Sequence, residues 1–342
     1  MGPIVAVAVS GGIDSLTAAY LLKTRGLDVV AIHFITGFEA DPDLGAKVRT
    51  VLLPLGIHVH LLDCRSVFKS TVVDYFTAAY LAGQTPNPCV VCNAQIKFGT
   101  VLEFARGLGA SHLATGHYAR IGTGPGFYLL KGADPAKDQS YFLARLTPAQ
   151  LAMACFPLGQ MTKDQVKALA VAAGLKPVRQ DESQDVCFIN AASTSEFLAQ
   201  TAGGSGPGPI VTTEGRTIGT HPGLYRFTIG QRRGINCPDA RPYYVVGMDR
   251  DANRLIVGRP ADLLRSTCRV NRINWIGPVP QVPFKAQTRL RYRSPAASGM
   301  VHPAGPCRAE LCFDRPQAAV TPGQAAVFYE GDRVIGGGWI DG

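Results

Sequence analysis

The chain has 342 residues, 46% of them hydrophobic and 17% charged, which excludes a disordered polyelectrolyte and leaves room for two or three domains of the usual ~100 to 200 residues. Its 34 Lys and Arg against 25 Asp and Glu give a net charge of +9, divided unevenly: residues 1–200 hold 16 basic and 15 acidic side chains (net +1), residues 201–342 hold 18 and 10 (net +8). Of the basic residues in the second part only Lys285 is a lysine, and guanidinium forks match phosphate oxygens in pairs, so an anionic partner is expected there.

The opening apolar run, Ile4 to Val9, is too short for a signal-peptide core, and no later run reaches the ~18 apolar residues of a membrane helix. A cytoplasmic protein with no membrane attachment is expected. Nine cysteines, an odd number in a long chain, do not read as a secreted disulfide framework, and clustered thiols in a reducing compartment point to metal binding or catalysis.

In chain order, IVAVAVS reads as a strand, Ser15 to Arg25 as a helix stopped by Gly26, LDVVAIHF as a second strand, LGAKVRTVLLPLG as a helix interrupted near Pro54, and IHVHLLD as a third strand. A helix near Val67 to Leu81, the loop GQTPNPCVVCN, a helix near Ala94 to Leu108 and a strand at SHLATG follow. Strands alternating with helices predict an α/β, doubly wound parallel sheet, with ligands gathered beyond the carboxyl ends of its strands. Loops after Val9, at 83–93 and at 116–120 are placed at that edge. Residues 201–209, TAGGSGPGP, read as a linker, and beyond it short Val, Ile, Tyr and Arg-rich runs predict small β-rich units with a break near 275–280.

The sharpest local signal is Ser10-Gly11-Gly12-Ile13-Asp14-Ser15 between a strand and a helix. Two glycines let backbone approach an anion, helix-opening N–H groups point at it, and two hydroxyls add donors. It is neither a Walker A loop, lacking the Lys-Ser/Thr ending, nor a dinucleotide fingerprint. A carboxylate at Asp14 is costly beside an anion unless it holds Mg²⁺ or a backbone turn. The hexapeptide resembles the pyrophosphate loop of ATP pyrophosphatases, which cleave ATP between the α and β phosphates. Cys89-Val90-Val91-Cys92 has a spacing that suits a metal, an iron-sulfur cluster or a redox pair. Cys187 follows a polar acidic stretch expected to form a mobile loop.

Taken together, AVSGGIDS, AGQTPNPCVVCNAQIKFG, ATGHYAR, KDQSYFL, CFI, RFTIGQRRG and PGQAAVFYEG…GGGWI resemble the bacterial tRNA-specific 2-thiouridylases, in order and over essentially the whole chain. The resemblance implies a pyrophosphatase-type catalytic domain (1–205), a small central tRNA-contacting domain (206–276) and a C-terminal tRNA-binding β-barrel (277–342). It further implies that ATP, with Mg²⁺, activates O2 of the wobble uridine as an adenylate and that sulfur then displaces AMP. On matching positions Ser10, Gly11, Gly12, Asp14, Ser15, Phe34 and Gly116 bind ATP, Cys187 carries sulfur as a persulfide, and Cys92 is its partner. Asn87 and Pro88 match the target-base loop. His117, Lys137, Asp138, Gln139, Arg291, Tyr292 and Gln324 match tRNA contacts. A sulfur donor, either a protein or sulfide, is implied as a further partner.

One position departs from the family: Cys89 stands where most members have an aspartate proposed as acid or base. A thiol is mostly protonated at neutral pH and does not replace that carboxylate. Cys89, Cys92 and Cys187 then offer three ligands for a [4Fe-4S] cluster with one open iron, an alternative to the persulfide route. Two other readings compete with the enzyme as a whole: a ligase or amidotransferase that adenylates a small substrate, and a non-catalytic RNA-binding or redox-sensing relative. Arg289, Arg291 and Arg293 alternate at strand period and are expected to form a basic ridge, with Tyr292 on the opposite face. Gln231-Arg232-Arg233-Gly234 reads as a turn presenting two guanidinium groups.

Overall fold

The computed structural model describes residues 2–178, 186–189, 193–202 and 206–341. The acidic residues 181–185, expected as a mobile loop before Cys187, lie outside the described residues, as do 203–205 of the expected linker.

The first unit contains β1 (Ile4–Ala8), β2 (Asp28–Ile35), β3 (His58–Asp63), β4 (Ala110–Ala114), β5 (Ala119–Thr123), β6 (Phe127–Lys131) and β7 (Ala154–Cys155). Five of them form the parallel sheet anticipated, in the order β3-β2-β1-β4-β7. Strand period explains how β1 is buried on both faces. Val5, Val7 and Val9 join one core together with α1 (Ile13–Thr24) and α2 (Leu44–Leu52), whereas Ala6 and Ala8 join a second core on the other side. Gly26, at φ +78°, ends the turn after α1, its N–H donating to the Lys23 carbonyl at 3.0 Å.

The helix expected near Ala94 begins earlier. It starts as Pro88–Cys92, widens into a π segment over Asn93–Val101 and finishes as Leu102–Gly107. The cysteine pair therefore sits on a first helical turn and not in a loop. Proline at the first helical position loses no hydrogen bond, and Asn87 caps the turn by accepting from the Val90 N–H at 3.3 Å.

The central unit is a four-stranded sheet of β8 (Gly208–Thr212), β9 (Thr217–His221), β10 (Tyr244–Asp249) and β11 (Arg254–Gly258), ordered β10-β11-β8-β9 over its own small core. The last unit holds β12 (Leu264–Trp275), β13 (Phe284–Arg289), β14 (Ala297–Pro303), β15 (Ala309–Ala318), β16 (Ala325–Glu330) and β17 (Arg333–Ile340). These run β12-β15-β14-β13-β16-β17, and β12 pairs again with β17, closing a six-stranded barrel. The barrel thus takes in residues 264–275, which the sequence reading assigned to the central domain, and the turn at 275–280 lies within it.

Two further findings depart from expectation. The hairpin β5–β6 of the first unit extends the barrel sheet, Leu130 pairing with Arg333 of β17. The basic ridge does not form, because β13 ends at Arg289 and the chain turns through Arg291 to Ser294, whose hydroxyl donates to the Arg291 carbonyl at 2.9 Å. Among the described residues no helix is long and apolar enough to cross a membrane.

Candidate active site

The loop Ser10–Ser15 joins β1 to α1 at the carboxyl edge of the sheet. Gly11 takes φ +80°, and a side-chain carbon there would lie 3.1 Å from Cγ2 of Val48. The loop is tied from within: the Ser10 N–H donates to Oγ of Ser15 at 3.2 Å, and that hydroxyl donates to the Gly12 carbonyl at 2.9 Å. Gly12 at the N-cap supplies no side-chain cap, which leaves the first N–H groups of α1 for an anion. Gly116, just past β4, packs directly on this turn. A methyl group there would lie 2.8 Å from both the Asp14 carbonyl carbon and the Ser15 nitrogen.

Asp14 has two partners across the site. Nζ of Lys163 lies 2.8 Å from each of its carboxylate oxygens, and the Tyr118 hydroxyl donates to Oδ1 at 2.7 Å. Among the described residues no group of three His, Cys, Asp or Glu is arranged to hold a metal ion. In this arrangement the Asp14 carboxylate is engaged by Lys163 and Tyr118.

The second half of the site is built on the helix that starts at Pro88. Cys89 and Cys92 are three residues apart and share a face. Burial pushes the Cys89 thiol up to about 11 and the Cys92 thiol up to about 12. Cys187 nearby raises both further, while the Lys97 ammonium pulls both down. The π segment bears on how the Lys97 charge is felt at Cys92. On an α-helix a residue five positions after Cys92 is turned about 140° away from it, whereas the wider π turn stacks i over i+5. Lys97 Nζ also lies 3.5 Å from Nε2 of His117, whose Nδ1 is 2.7 Å from Oγ1 of Thr115. Burial first, and Lys97 second, hold His117 well below the usual histidine range, so its ring is neutral. The segment Thr115–Tyr118 therefore joins the two halves: Gly116 and Tyr118 touch the Ser10–Ser15 loop, while His117 touches Lys97.

Cys187 is exposed, and the next residue anchors it. Phe188 is 1% exposed and packs edge-on against Phe76 at 5.2 Å and against Phe38 and Phe68 at 5.9 Å. The three thiols share one electrostatic neighbourhood but do not stand as a metal-ligand set. The coupling is pairwise, Cys187 acting on both of the buried thiols. Phe34, at the end of β2, is half-buried against the core.

The residues matched to tRNA contacts divide into two groups. Asn87 caps the cysteine helix, Pro88 is buried in its first turn, and Lys137 is half-buried. Several others are occupied inside the protein. Asp138 is 2% exposed, accepts from the N–H groups of Gly132 and Ser140 at 3.0 Å, and pairs with Arg289 at 3.1 Å. Gln139 and Tyr118 exchange hydrogen bonds through the Gln139 side chain and backbone. Arg291 turns inward to the carbonyls of Ile229 and Ala319 and the hydroxyl of Thr321, and Tyr292 packs on Phe142 at 4.3 Å. Gln324 donates to the carbonyls of Thr85 and Pro86. Arg232 and Arg233 are exposed on the expected turn, which Gln231 closes by donating to the Arg233 carbonyl at 3.0 Å. Lys97 and Lys163 were not singled out from sequence. Lys97 follows the cysteine pair within the same helix, whereas Lys163 carries no local signal.

Three domain families match the chain in succession: the tRNA methyl transferase HUP domain over residues 4–191, the tRNA methyl transferase PRC-barrel domain over 195–259, and the aminomethyltransferase beta-barrel domain over 265–340. The tRNA-specific 2-thiouridylase MnmA of Desulfosudis oleivorans is 53% identical over 340 residues, covering 99% of this chain and 95% of its own. The proteins of the same name from Geotalea uraniireducens and Moorella thermoacetica are each 43% identical, covering 98% of this chain and 94% and 98% of theirs. Identity of this order from end to end means that the chain belongs to the tRNA-specific 2-thiouridylase family.

Proposed function

We propose that the chain is an ATP-dependent tRNA-uridine 2-sulfurtransferase acting on the wobble uridine. The observation that carries the reading is the join between an anion-binding loop and a cluster of thiols through one short segment, Thr115–Tyr118.

In the first step the uridine O2 attacks the α-phosphorus of ATP, the bond to the β-phosphate oxygen breaks, and pyrophosphate leaves. Ser10, Gly11, Gly12, Ser15 and the opening N–H groups of α1 hold the phosphates. Gly116 keeps the loop in shape, and Phe34 borders the adenine. A carbonyl oxygen leaves poorly, whereas an adenylate leaves well. In the second step the terminal sulfur of a Cys187 persulfide attacks C2 and the C–O bond breaks, releasing AMP. The Cys92 thiolate then attacks Sγ of Cys187, which breaks the persulfide bond, leaves the terminal sulfur on C2 and closes a Cys92–Cys187 disulfide. An external thiol reductant supplies the two electrons that reopen it. The exposure of Cys187 supports its role as the group loaded by a sulfur donor, and Lys97 supports ionisation of buried Cys92 when attack is needed.

Asn87 and Pro88 present the target base, and Arg232 and Arg233 grip phosphate, with Lys137 and the arginine-rich C-terminal half extending that surface. The test is incubation of the protein with ATP, a persulfide donor and unmodified tRNA, followed by assay for AMP and 2-thiouridine. Both products are expected. AMP without thiouridine would favour the ligase reading, and neither product the non-catalytic one.

A further inference from the structure

We infer that Phe188 is a positioning residue for sulfur transfer: docked among Phe38, Phe68, Phe76 and Phe197, it fixes where the Cys187 thiol stands relative to Cys92. This rests on the reading that Cys187 carries the sulfur. Residues 186–189 form a tight turn in which the Ile189 N–H donates to the Val186 carbonyl at 3.0 Å. Val186 and Ile189 are half-buried against the catalytic core and Phe188 is 1% exposed within it, so Cys187 alone of the four is exposed. Four rings receive Phe188. Phe76 meets it edge-on at 5.2 Å, Phe38 and Phe68 meet it at 5.9 Å, and Phe197 lies tilted at 5.6 Å. Edge-to-face contacts fix the angle of a ring as well as its depth, so the backbone at 188, and with it the thiol one residue earlier, is held in one place.

That place is tied to the other thiol through a single helix. Asp74–Leu81 carries Phe76, and the residue before it, Tyr75, reaches the backbone of Asn87, which caps the helix bearing Cys89 and Cys92. One element therefore holds the anchor of Cys187 on one residue and the cap of the Cys92 helix on the next. Cys187 also raises the Cys92 thiol electrostatically, which puts the two within reach of each other's charge. In the exchange step the Cys92 thiolate attacks Sγ of Cys187 while the persulfide bond breaks and the terminal sulfur stays on C2. Such an attack depends on a set distance and direction, and a misplacement of about 1 Å costs about 10²-fold in rate. A cysteine on an unanchored turn would load with sulfur as readily but deliver it slowly.

The experiment takes full-length wild type, Phe188→Ala, Phe188→Leu and Cys187→Ser with ATP, unmodified tRNA and a cysteine persulfide donor. Three single-turnover rates are read: pyrophosphate release without the donor, persulfide loading of Cys187 without tRNA, and 2-thiouridine formation with all components. Phe188→Ala is expected to slow thiouridine formation at least twentyfold, with pyrophosphate release within twofold and loading within threefold of wild type. Diamide should close the Cys92–Cys187 disulfide at least tenfold more slowly in this variant than in wild type. Phe188→Leu keeps apolar bulk in the pocket and should slow thiouridine formation three- to tenfold with the same split. It decides the matter should Phe188→Ala fail to fold. Thiouridine formation at the wild-type rate, or a parallel fall in all three rates, overturns the assignment. Full thiouridine formation by Cys187→Ser would instead overturn the sulfur-carrier reading beneath it.

Discussion

The side-chain amide of Gln324 donates to the Thr85 carbonyl at 2.9 Å, while the Thr85 N–H donates to the Pro322 carbonyl at the same distance. The loop leading into the cysteine helix is thereby held by the barrel, although nearly 240 residues of chain separate them. Gly323 lies at the contact with φ +88°, and a side-chain carbon there would meet Cβ of Gln84 at 2.9 Å and the Thr85 nitrogen at 3.0 Å. Gly323→Ala is expected to lose about 1–3 kcal/mol of stability through strain and to loosen the loop. Thermal melting together with the rate of Cys89 alkylation checks this, and an unchanged pair of values would release the loop from the barrel's control.

Alkylation should also rank the thiols. Only the thiolate reacts, and Cys89 and Cys92 are pushed up to about 11 and about 12. At neutral pH iodoacetamide is expected to modify exposed Cys187 first, with the buried pair reacting only as pH rises toward those values. Lys97→Met removes the charge that lowers both thiols, so their reaction should move to still higher pH. A profile identical to wild type would show that the π segment does not aim Lys97 at them.

His117 gives a pH signature in stability. The folded protein keeps this ring neutral well below its ordinary range, while the unfolded chain takes up a proton below about 6.5. The unfolded state then binds more protons, so stability falls as pH drops below that point, by about 1.4 kcal/mol per pH unit for one proton. Chemical denaturation between pH 7 and 5 should show this slope in wild type and a flatter one in His117→Gln.

Arg232 and Arg233 should contribute through phosphate, Arg291 through structure. Replacing the first two by alanine is expected to weaken tRNA binding and lower the log–log salt slope by about 1.5–2. Arg291→Ala removes the bonds to Ile229, Ala319 and Thr321 that join the central unit to the barrel. It should lower the melting temperature while the salt slope stays near that of wild type. Filter binding over a salt series separates the two effects.

The sulfur route can be decided by iron analysis. Protein freed of iron and supplied with a persulfide donor is expected to form 2-thiouridine, and Cys187→Ser to form none. Activity that appears only after anaerobic reconstitution with iron and sulfide would replace the cysteine route with a cluster.

The parallel sheet and the glycine turn after its first strand were legible because strand and helix periods alternate cleanly from Ile4 onward and the glycine pair falls between them. The cysteine helix was misplaced for an identifiable reason. Pro86 and Pro88 suggest a loop, yet proline at the first position begins a helix as readily as it ends one. The arginines at 289, 291 and 293 keep strand spacing, but the strand stops at the first of them, so spacing alone misdirected their side chains. Asp138 and Gln139 lie in a stretch rich in polar residues. Their burial comes from partners far along the chain, Arg289 and Tyr118, which no local pattern announces. Lys163 was unreadable for the same reason, since its partner lies 149 residues away.

The hairpin β5–β6 limits how freely such a protein can be rearranged. Leu130 of the hairpin pairs with Arg333 of the barrel, Arg120 reaches Asp332 at 2.7 Å, and the Tyr141 hydroxyl donates to the Ala325 carbonyl at 2.9 Å. The first and third domains are separate blocks in the gene but share one seam as physical objects. Cutting there would bare an open strand edge beside fully buried Leu129 and invite self-association. A chimera between relatives should therefore exchange the catalytic domain and the barrel as a matched pair, with the central unit as the interchangeable piece.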